Sequence, residues 1–264
     1  MKIGFIGGGN MGGAIIGGIV KSKVADPNHI GVYDVNTDAV TKLKEQYGIQ
    51  QIILNQAAVS AADILFLCVK PNVLYDVIDE IKADVSEDTL IISIAAGQSI
   101  EAIETAFGKK IKLIRVMPNT PALVGEGMSA LSPNANVTEA ELAKAVELFN
   151  SFGKAEVVPE KLMDTVTAVS GSSPAYVFMF IEAMADAAVM GGMPRSQAYT
   201  FAAQSVLGSA KMLLETGKHP GELKDMVCSP AGTTIEAVAV LEDMGLRAAV
   251  IEAMRACMEK SQDM

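Results

Sequence analysis

The chain has 264 residues, half of them hydrophobic and a fifth charged, which suffices for two modest domains with their own cores and excludes a disordered or fibrous chain. Lys plus Arg is 21 against 31 for Asp plus Glu, a net charge of −10, and no run of basic residues occurs, so nucleic acid is not the expected partner. Three cysteines without C-x-x-C spacing and two histidines in the turn-like contexts DPNH and KHPG offer no metal site and fit the reduced thiols of a cytoplasmic protein.

In chain order, residues 3–20 (IGFIGGGNMGGAIIGGIV) are uncharged and mimic a targeting signal, but eight of them are glycine. Each interior Gly costs a helix about 1 kcal/mol relative to Ala, so the stretch reads as strand, turn and helix, with no membrane span. Gly7-Gly8-Gly9-Asn10-Met11-Gly12 fits G-x-G-x-x-G directly after the strand IGFI and before an apolar helix beginning near Met11. The first glycine permits a tight turn, the second lets the backbone approach a pyrophosphate, and the third lets helix and strand pack closely. The helix amino terminus then offers N–H groups and partial positive charge to the phosphates.

HIGVYD is the next strand and places Asp34 where an acid accepts from ribose hydroxyls. A carboxylate there repels a 2′-phosphate, and Asn36 and Thr37 follow it, not Arg, which favours NADH over NADPH. Lys42 or Lys44 remains available to a phosphate, and Asp34 has the alternative role of opening the VNTD turn. Val40, Leu43 and Tyr47 recur at helical spacing and would cover the sheet. DILFLCV, TLIISIA and KLIRVM are further strands; the βαβα rhythm is that of a doubly wound parallel sheet, an α/β Rossmann-like dinucleotide-binding domain. Ligands of such sheets lie at the carboxyl ends of the strands. Val69, Lys70 and Pro71 of VKPN, Ala96 and Gly97 of AAG, and Asn119 within MPNTPALVGEG therefore border the expected cofactor crevice. GKAEVVPE at 153–160 is a last strand and the exit from a domain spanning 1–160.

From 161 to 264 the texture turns to long Ala/Met-rich helical stretches, punctuated by Pro174, Pro194 and Pro220 at starts and by Gly191-Gly192, Gly217 and Gly245 at stops. Ala202, Ala203, Ser205, Gly208, Ser209 and Ala210 let helices approach closely. So few apolar helical residues make a thin core, and pairing with another copy is expected. Within CSPAGTTIE (228–236), Thr233-x-x-Glu236 is a capping-box pattern at a helix start, and residues 229–234 would present backbone N–H groups to a small carboxylate.

GFIGGGNMG, VKPN, MPNTPALVGEG, SGSSPAYVFMFIEAMADAAV and LKDMVCSPAGTTIEAV make essentially the whole chain resemble the pyrroline-5-carboxylate reductase family. One departure is Ala231, where the family's turn reads Ser-Pro-Gly-Gly-x-Thr. The resemblance implies NADH- or NADPH-dependent reduction of 1-pyrroline-5-carboxylate to L-proline. It also implies that Ser229, Gly232, Thr233 and Thr234 hold the substrate, Thr234 lying near the ring nitrogen and acting with Ser229 in the reaction. Cofactor contacts are carried over to Asn10, Met11, Asn36, Asn55, Val69, Lys70, Ala96 and Glu160, with Asp34 standing where relatives have Ser or Thr. Homodimers through interleaved carboxyl-terminal helices, often assembled into larger rings, are implied as well. Two other readings stand beside it: a β-hydroxyacid dehydrogenase, which would want a catalytic lysine such as Lys161, Lys211 or Lys224, and a non-catalytic NAD(P)-sensing protein, which would not need the loop at 229–234.

Overall fold

The computed structural model describes residues 1–60 and 62–263, and packing divides them into two compact units. The first takes Met1–Ser172 together with the residues from Cys257 onward; the second is Ser173–Ala256.

The first unit is built on an eight-stranded sheet of β1 (Ile3–Ile6), β2 (Ile30–Tyr33), β3 (Gln50–Gln51), β4 (Ile64–Leu67), β5 (Leu90–Ser93), β6 (Lys112–Met117), β7 (Gly127–Pro133) and β8 (Gly153–Val157). Their order is β3-β2-β1-β4-β5-β6-β7-β8. Six of these correspond to strands legible in the sequence; β3 and β7 do not. One pair departs from the parallel expectation, because β7 runs antiparallel to β6, with Met117 opposite Ala130. A 3₁₀ turn over Thr120–Val124 connects them, too short for the crossover a parallel neighbour needs.

Helices α1 (Asn10–Lys21), α2 (Thr37–Tyr47), α3 (Asn55–Val59), α4 (Pro71–Ile81), α5 (Ile100–Phe107) and α6 (Glu139–Asn150) join the strands. Alternate strand residues point to opposite faces, and the core divides accordingly. Phe5, Phe66, Ile92 and Ile114 pack with Ile15, Ile19 and Phe149 on one face. Ile6, Leu65, Leu67 and Leu113 pack with Leu74, Ile78 and Ile103 on the other. Each such fully buried side chain contributes about 1.5–3 kcal/mol, which holds the strand ends of this unit rigid. The Phe5 and Phe66 rings stack with centroids 4.5 Å apart.

After β8 the chain forms α7 (Met163–Val166) and one π-helical turn over Thr167–Gly171, with Ser172 N–H donating to the Thr167 carbonyl at 2.8 Å. Met163 is buried against Met117 and Ala130. Residues 161–172, read from sequence as the start of the helical domain, therefore pack with the first unit.

The second unit holds α8 (Ser173–Met190), α9 (Arg195–Thr216), α10 (Pro220–Val227), α11 (Thr233–Asp243) and most of α12 (Leu246–Gln262). Gly192, Gly217 and Gly245 take the left-handed backbone at the expected stops. Its buried apolar residues among those described are Ala185, Ala198 and Ala202, whereas Phe178, Met179, Phe201 and Leu214 are 64%, 70%, 66% and 68% exposed. Helices that are apolar on most faces call for a cover. By length and composition alone, Glu160–Met190 is apolar enough to cross a membrane.

Candidate active site

The Gly-rich loop sits between β1 and α1. Gly7 has φ +107, and a Cβ there would lie 2.4 Å from the Cys68 carbonyl oxygen; one on Gly12 would lie 2.3 Å from that of Gly7. Neither position admits a side chain. A Cβ on Gly9, the N-cap of α1, would meet nothing within 4 Å, and no side chain caps this helix. The first-turn N–H groups of α1 thus have no side-chain cap, and the approach at Gly9 is open, as a pyrophosphate requires. Asp34 joins this loop to β2: Gly8 N–H donates to its Oδ2 at 2.7 Å and Asn36 N–H to its Oδ1 at 2.8 Å. Gly8, Gly9, Asn10 and Asn36 lie at one end of a groove that continues between α1 and α2 to Lys21, Tyr47 and Phe152. The glycine loop and Asp34, at that end, fit the phosphates and ribose of a dinucleotide. Cys68 lies under the loop, and burial pushes its thiol well above the ordinary range, so it supplies no nucleophile.

The other rim residues separate by what they touch. Lys70, exposed, is the N-cap of α4 and Pro71 its first residue, while Val69 packs against the Ile6 face of the core. Ala96 touches the Met117 and Met163 cluster, and Gly97 turns the chain at φ +72. Asn55 is buried at the start of α3; its Nδ2 donates to the Glu80 carboxylate, and its Oδ1 has no partner. A buried acceptor without a donor calls for a partner from outside the chain, a water or a ligand group.

Asn119 and Glu160 are engaged within the protein. Asn119 Oδ1 accepts from Met128 N–H at 2.8 Å, and its Nδ2 donates to the carbonyl and hydroxyl oxygens of Ser170, each at 3.2 Å. Glu160 Oε1 accepts from the Ile100 N–H at 2.7 Å and from Arg115 at 2.9 Å. Sequence reasoning missed Arg115. The signal was present: a cation inside the apolar strand KLIRVM is 8% exposed and requires a partner.

In the second unit, Ser229 to Gly232 form a turn closed by Gly232 N–H to the Ser229 carbonyl at 3.0 Å. Pro230 holds its second position and Ala231, at φ +54, its third, the arrangement of a type II turn. Gly232 is the N-cap of α11, without a side-chain cap. The expected capping box is therefore not formed: the turn delivers the chain to the helix at Gly232, so Thr233 enters as the first helical residue, one step past the cap. The N–H groups of Thr233, Thr234 and Ile235 have no side chain of this motif to bind them, which favours an external carboxylate. Thr234 is half-buried, and Ser229 and Thr233 are exposed. Lys211 pairs with Glu215 at 3.6 Å and Lys224 with Asp225 at 2.8 Å, whose carboxylate raises the Lys224 pKa. These surface ion pairs do not make a catalytic lysine. Among the described residues no group of His, Cys, Asp and Glu could hold a metal.

Residues 160–264 match a family model described as pyrroline-5-carboxylate reductase dimerisation, and residues 2–97 match one described as NADP oxidoreductase, coenzyme F420-dependent. The pyrroline-5-carboxylate reductase of Escherichia coli (strain K12) is 58% identical over 99% of this chain and 97% of its own. The chain belongs to the pyrroline-5-carboxylate reductase family. The Methanosarcina acetivorans member is 47% identical over 100% of this chain and 97% of its own. The solved reductase structure from Coxiella burnetii superposes with a TM-score of 0.93 at 36% identity, covering 99% of this chain and 97% of its own. That from Plasmodium falciparum, solved with NADP bound, gives 0.91 at 33%, covering 100% and 97%. Residues of both units thus lie within a pyrroline-5-carboxylate reductase fold.

Proposed function

We propose that this protein reduces 1-pyrroline-5-carboxylate to L-proline with NADH or NADPH, the last step of proline biosynthesis. The observation that carries this reading is the 58% identity to a reductase of that name over 99% of the chain. The Gly7–Gly12 loop would hold the pyrophosphate, Asp34, Asn36 and Asn55 the adenosine side, and Val69, Lys70, Pro71, Ala96 and Gly97 the nicotinamide side. Asn119 and Glu160 would shape that rim from beneath. When bound, the reduced cofactor would supply the hydride for the imine carbon, and the ring nitrogen, protonated from solvent, would take up the C=N electron pair.

The first-turn N–H groups of α11, with Ser229, Gly232 and Thr233, would seat the substrate carboxylate. The Thr234 hydroxyl would orient the ring nitrogen. A cyclic imine protonated before hydride arrives needs position more than acid strength, which agrees with a loop, Ser229 to Thr234, that has no ionisable side chain. We assign cofactor binding to residues 1–160 and substrate binding with dimerisation to 161–264. The exposed apolar side chains of α8 and α9 are read as covered by a second copy, in a homodimer or an assembly of dimers, and not by a membrane; the enzyme is read as cytoplasmic and without nucleic-acid partners.

The test is oxidation of NADH or NADPH on adding 1-pyrroline-5-carboxylate, with L-proline as product. Silence with both cofactors across a pH series would overturn the reading. Turnover of 3-hydroxyacids instead would replace it with a β-hydroxyacid dehydrogenase.

A further inference from the structure

We infer that Asp34 makes this chain select NADH over NADPH, because its carboxylate occupies the backbone N–H groups that a ribose 2′-phosphate would use. The inference rests on reading Gly7–Gly12 as a dinucleotide cradle. Both carboxylate oxygens are engaged, Oδ2 by Gly8 N–H at 2.7 Å and Oδ1 by Asn36 N–H at 2.8 Å. Asn36 is the N-cap of α2, and its own side chain accepts from Ala39 N–H, so this helix start already has its oxygen acceptors supplied from within the chain. An anion arriving there would find the donors taken and a fixed negative charge in their place.

Anchoring at two points is what turns a charge into a selector. A carboxylate on a free side chain can swing away from a phosphate; one held by the Gly-rich loop and by the α2 turn cannot. A 2′-phosphate brings about −1.5 to −2 charges against it. The ribose hydroxyls of NADH are donors instead, and the ionised carboxylate retains lone pairs for them beyond the two already used. The cations that follow Asp34 in α2 are Lys42 and Lys44, and Lys42 lines the same groove as Asn36. Among the described residues neither forms an ion pair with Asp34, so its charge is not cancelled locally.

Asp34 also ties the Gly-rich loop to β2, and replacing it harms both cofactors through the loop. Only the ratio between them reports the charge. The measurement is the dissociation constant of NADH and of NADPH, read from reduced-nicotinamide fluorescence on the full chain without substrate, for wild type, Asp34→Ser and Asp34→Asn. Asparagine keeps the size and one acceptor while removing the charge, so it serves if serine loosens the loop too far to fold. Wild type is expected to bind NADH at least about tenfold more tightly, and either variant to move the ratio about tenfold towards NADPH. Equal wild-type affinities, or a ratio unchanged in both variants, would overturn the inference. Tight, selective NADH binding without turnover of 1-pyrroline-5-carboxylate would instead remove the proposed reaction and leave the selector standing. Binding of neither cofactor would remove both.

Discussion

Gly232 and Ser229 approach so closely that a Cβ on Gly232 would lie 2.3 Å from the Ser229 hydroxyl oxygen. The turn that delivers α11 to its first N–H groups therefore admits a side chain at its last position only if the Ser229 hydroxyl rotates away. Gly232→Ala must expel the Ser229 hydroxyl or open the turn, which takes a hydroxyl out of the proposed carboxylate seat or displaces its N–H groups. A misplacement near 1 Å costs about a hundredfold in rate. The expected outcome is a drop of about that size in kcat/KM for 1-pyrroline-5-carboxylate, with NADH affinity retained. Unchanged kinetics would show that Ser229 and Gly232 lie outside the substrate seat.

Ala231 occupies the neighbouring left-handed position, φ +54, where a Cβ is unfavourable by about 1–2 kcal/mol. Glycine would relieve that strain while making the unfolded chain more flexible by about 0.4–1 kcal/mol. The net expectation for Ala231→Gly is a gain of about 0.5–1 kcal/mol, read from the midpoint of urea unfolding. A loss of stability would mean that the Ala231 methyl is packed in the assembled protein.

These two positions also show what the sequence could and could not convey. The Gly-rich loop, the strands ending at Ile6, Tyr33 and Leu67, and the Ser229–Thr234 turn were legible because each depends on local chemistry: a glycine forced by a close contact, a run of β-branched residues, a proline in a tight turn. Strand β7 was not legible, since GMSALSP owes its extended shape to pairing with β6 and to burial of Leu131, both set by distant residues. The capping box at Thr233 was misread for a similar reason. Its pattern is local, but the turn before it decides where the helix begins. Glu160 was assigned to the cofactor by resemblance, and its bonds to Arg115 and Ile100 join residues far apart in the chain.

Thr234 is half-buried in the first turn of α11, and its hydroxyl is the proposed partner of the ring nitrogen. Thr234→Ala removes an orienting group but no strong acid, so kcat is expected to fall about tenfold, less than the loss of a true general acid. The NADH dissociation constant should stay within about twofold, and Thr234→Ser should restore most of the rate. Wild-type turnover in the alanine variant would leave backbone and solvent as the whole means of handling the nitrogen.

Lys112 and Glu141 tie β6 to the start of α6, 2.7 Å apart, where Glu141 also completes a capping box with Thr138. Burial opposes ionisation of Glu141, but hydrogen bonds from Lys112 and Thr138 outweigh it and hold its pKa below the ordinary value. The folded pKa is depressed, so this contribution is present above the unfolded value of about 4.3 and is lost as pH falls through the lower folded one. Glu141→Gln should therefore lose stability near neutral pH and show a shallower decline in unfolding free energy between neutral and acid pH. Parallel wild-type and variant curves would remove Glu141 from the acid sensitivity of this unit.

Arg115 and Glu160 bear on the proposed cofactor rim through an ion pair and a backbone hydrogen bond within the protein. Arg115 is a buried cation in the middle of the sheet, and Glu160 both neutralises it and accepts from the first N–H of α5. Removing one member of a fully buried pair costs about 3–5 kcal/mol; the Glu160 side chain is 33% exposed, and solvent reaching it reduces the expected cost of Glu160→Ala to about 2 kcal/mol. Arg115→Met, which removes the cation and keeps an apolar stem of similar length, should cost less, because the charge left over is the Glu160 carboxylate, which solvent reaches and which keeps its bond to Ile100. The double variant should then recover part of the loss seen in Glu160→Ala, a non-additivity that urea unfolding of the three proteins measures directly. Strict additivity would mean that the two side chains act independently. In that case the cost of Glu160→Ala would belong to the lost acceptor at the start of α5, and the segment after β8 would be held by Met163 against Met117 and by Asn119 to Ser170.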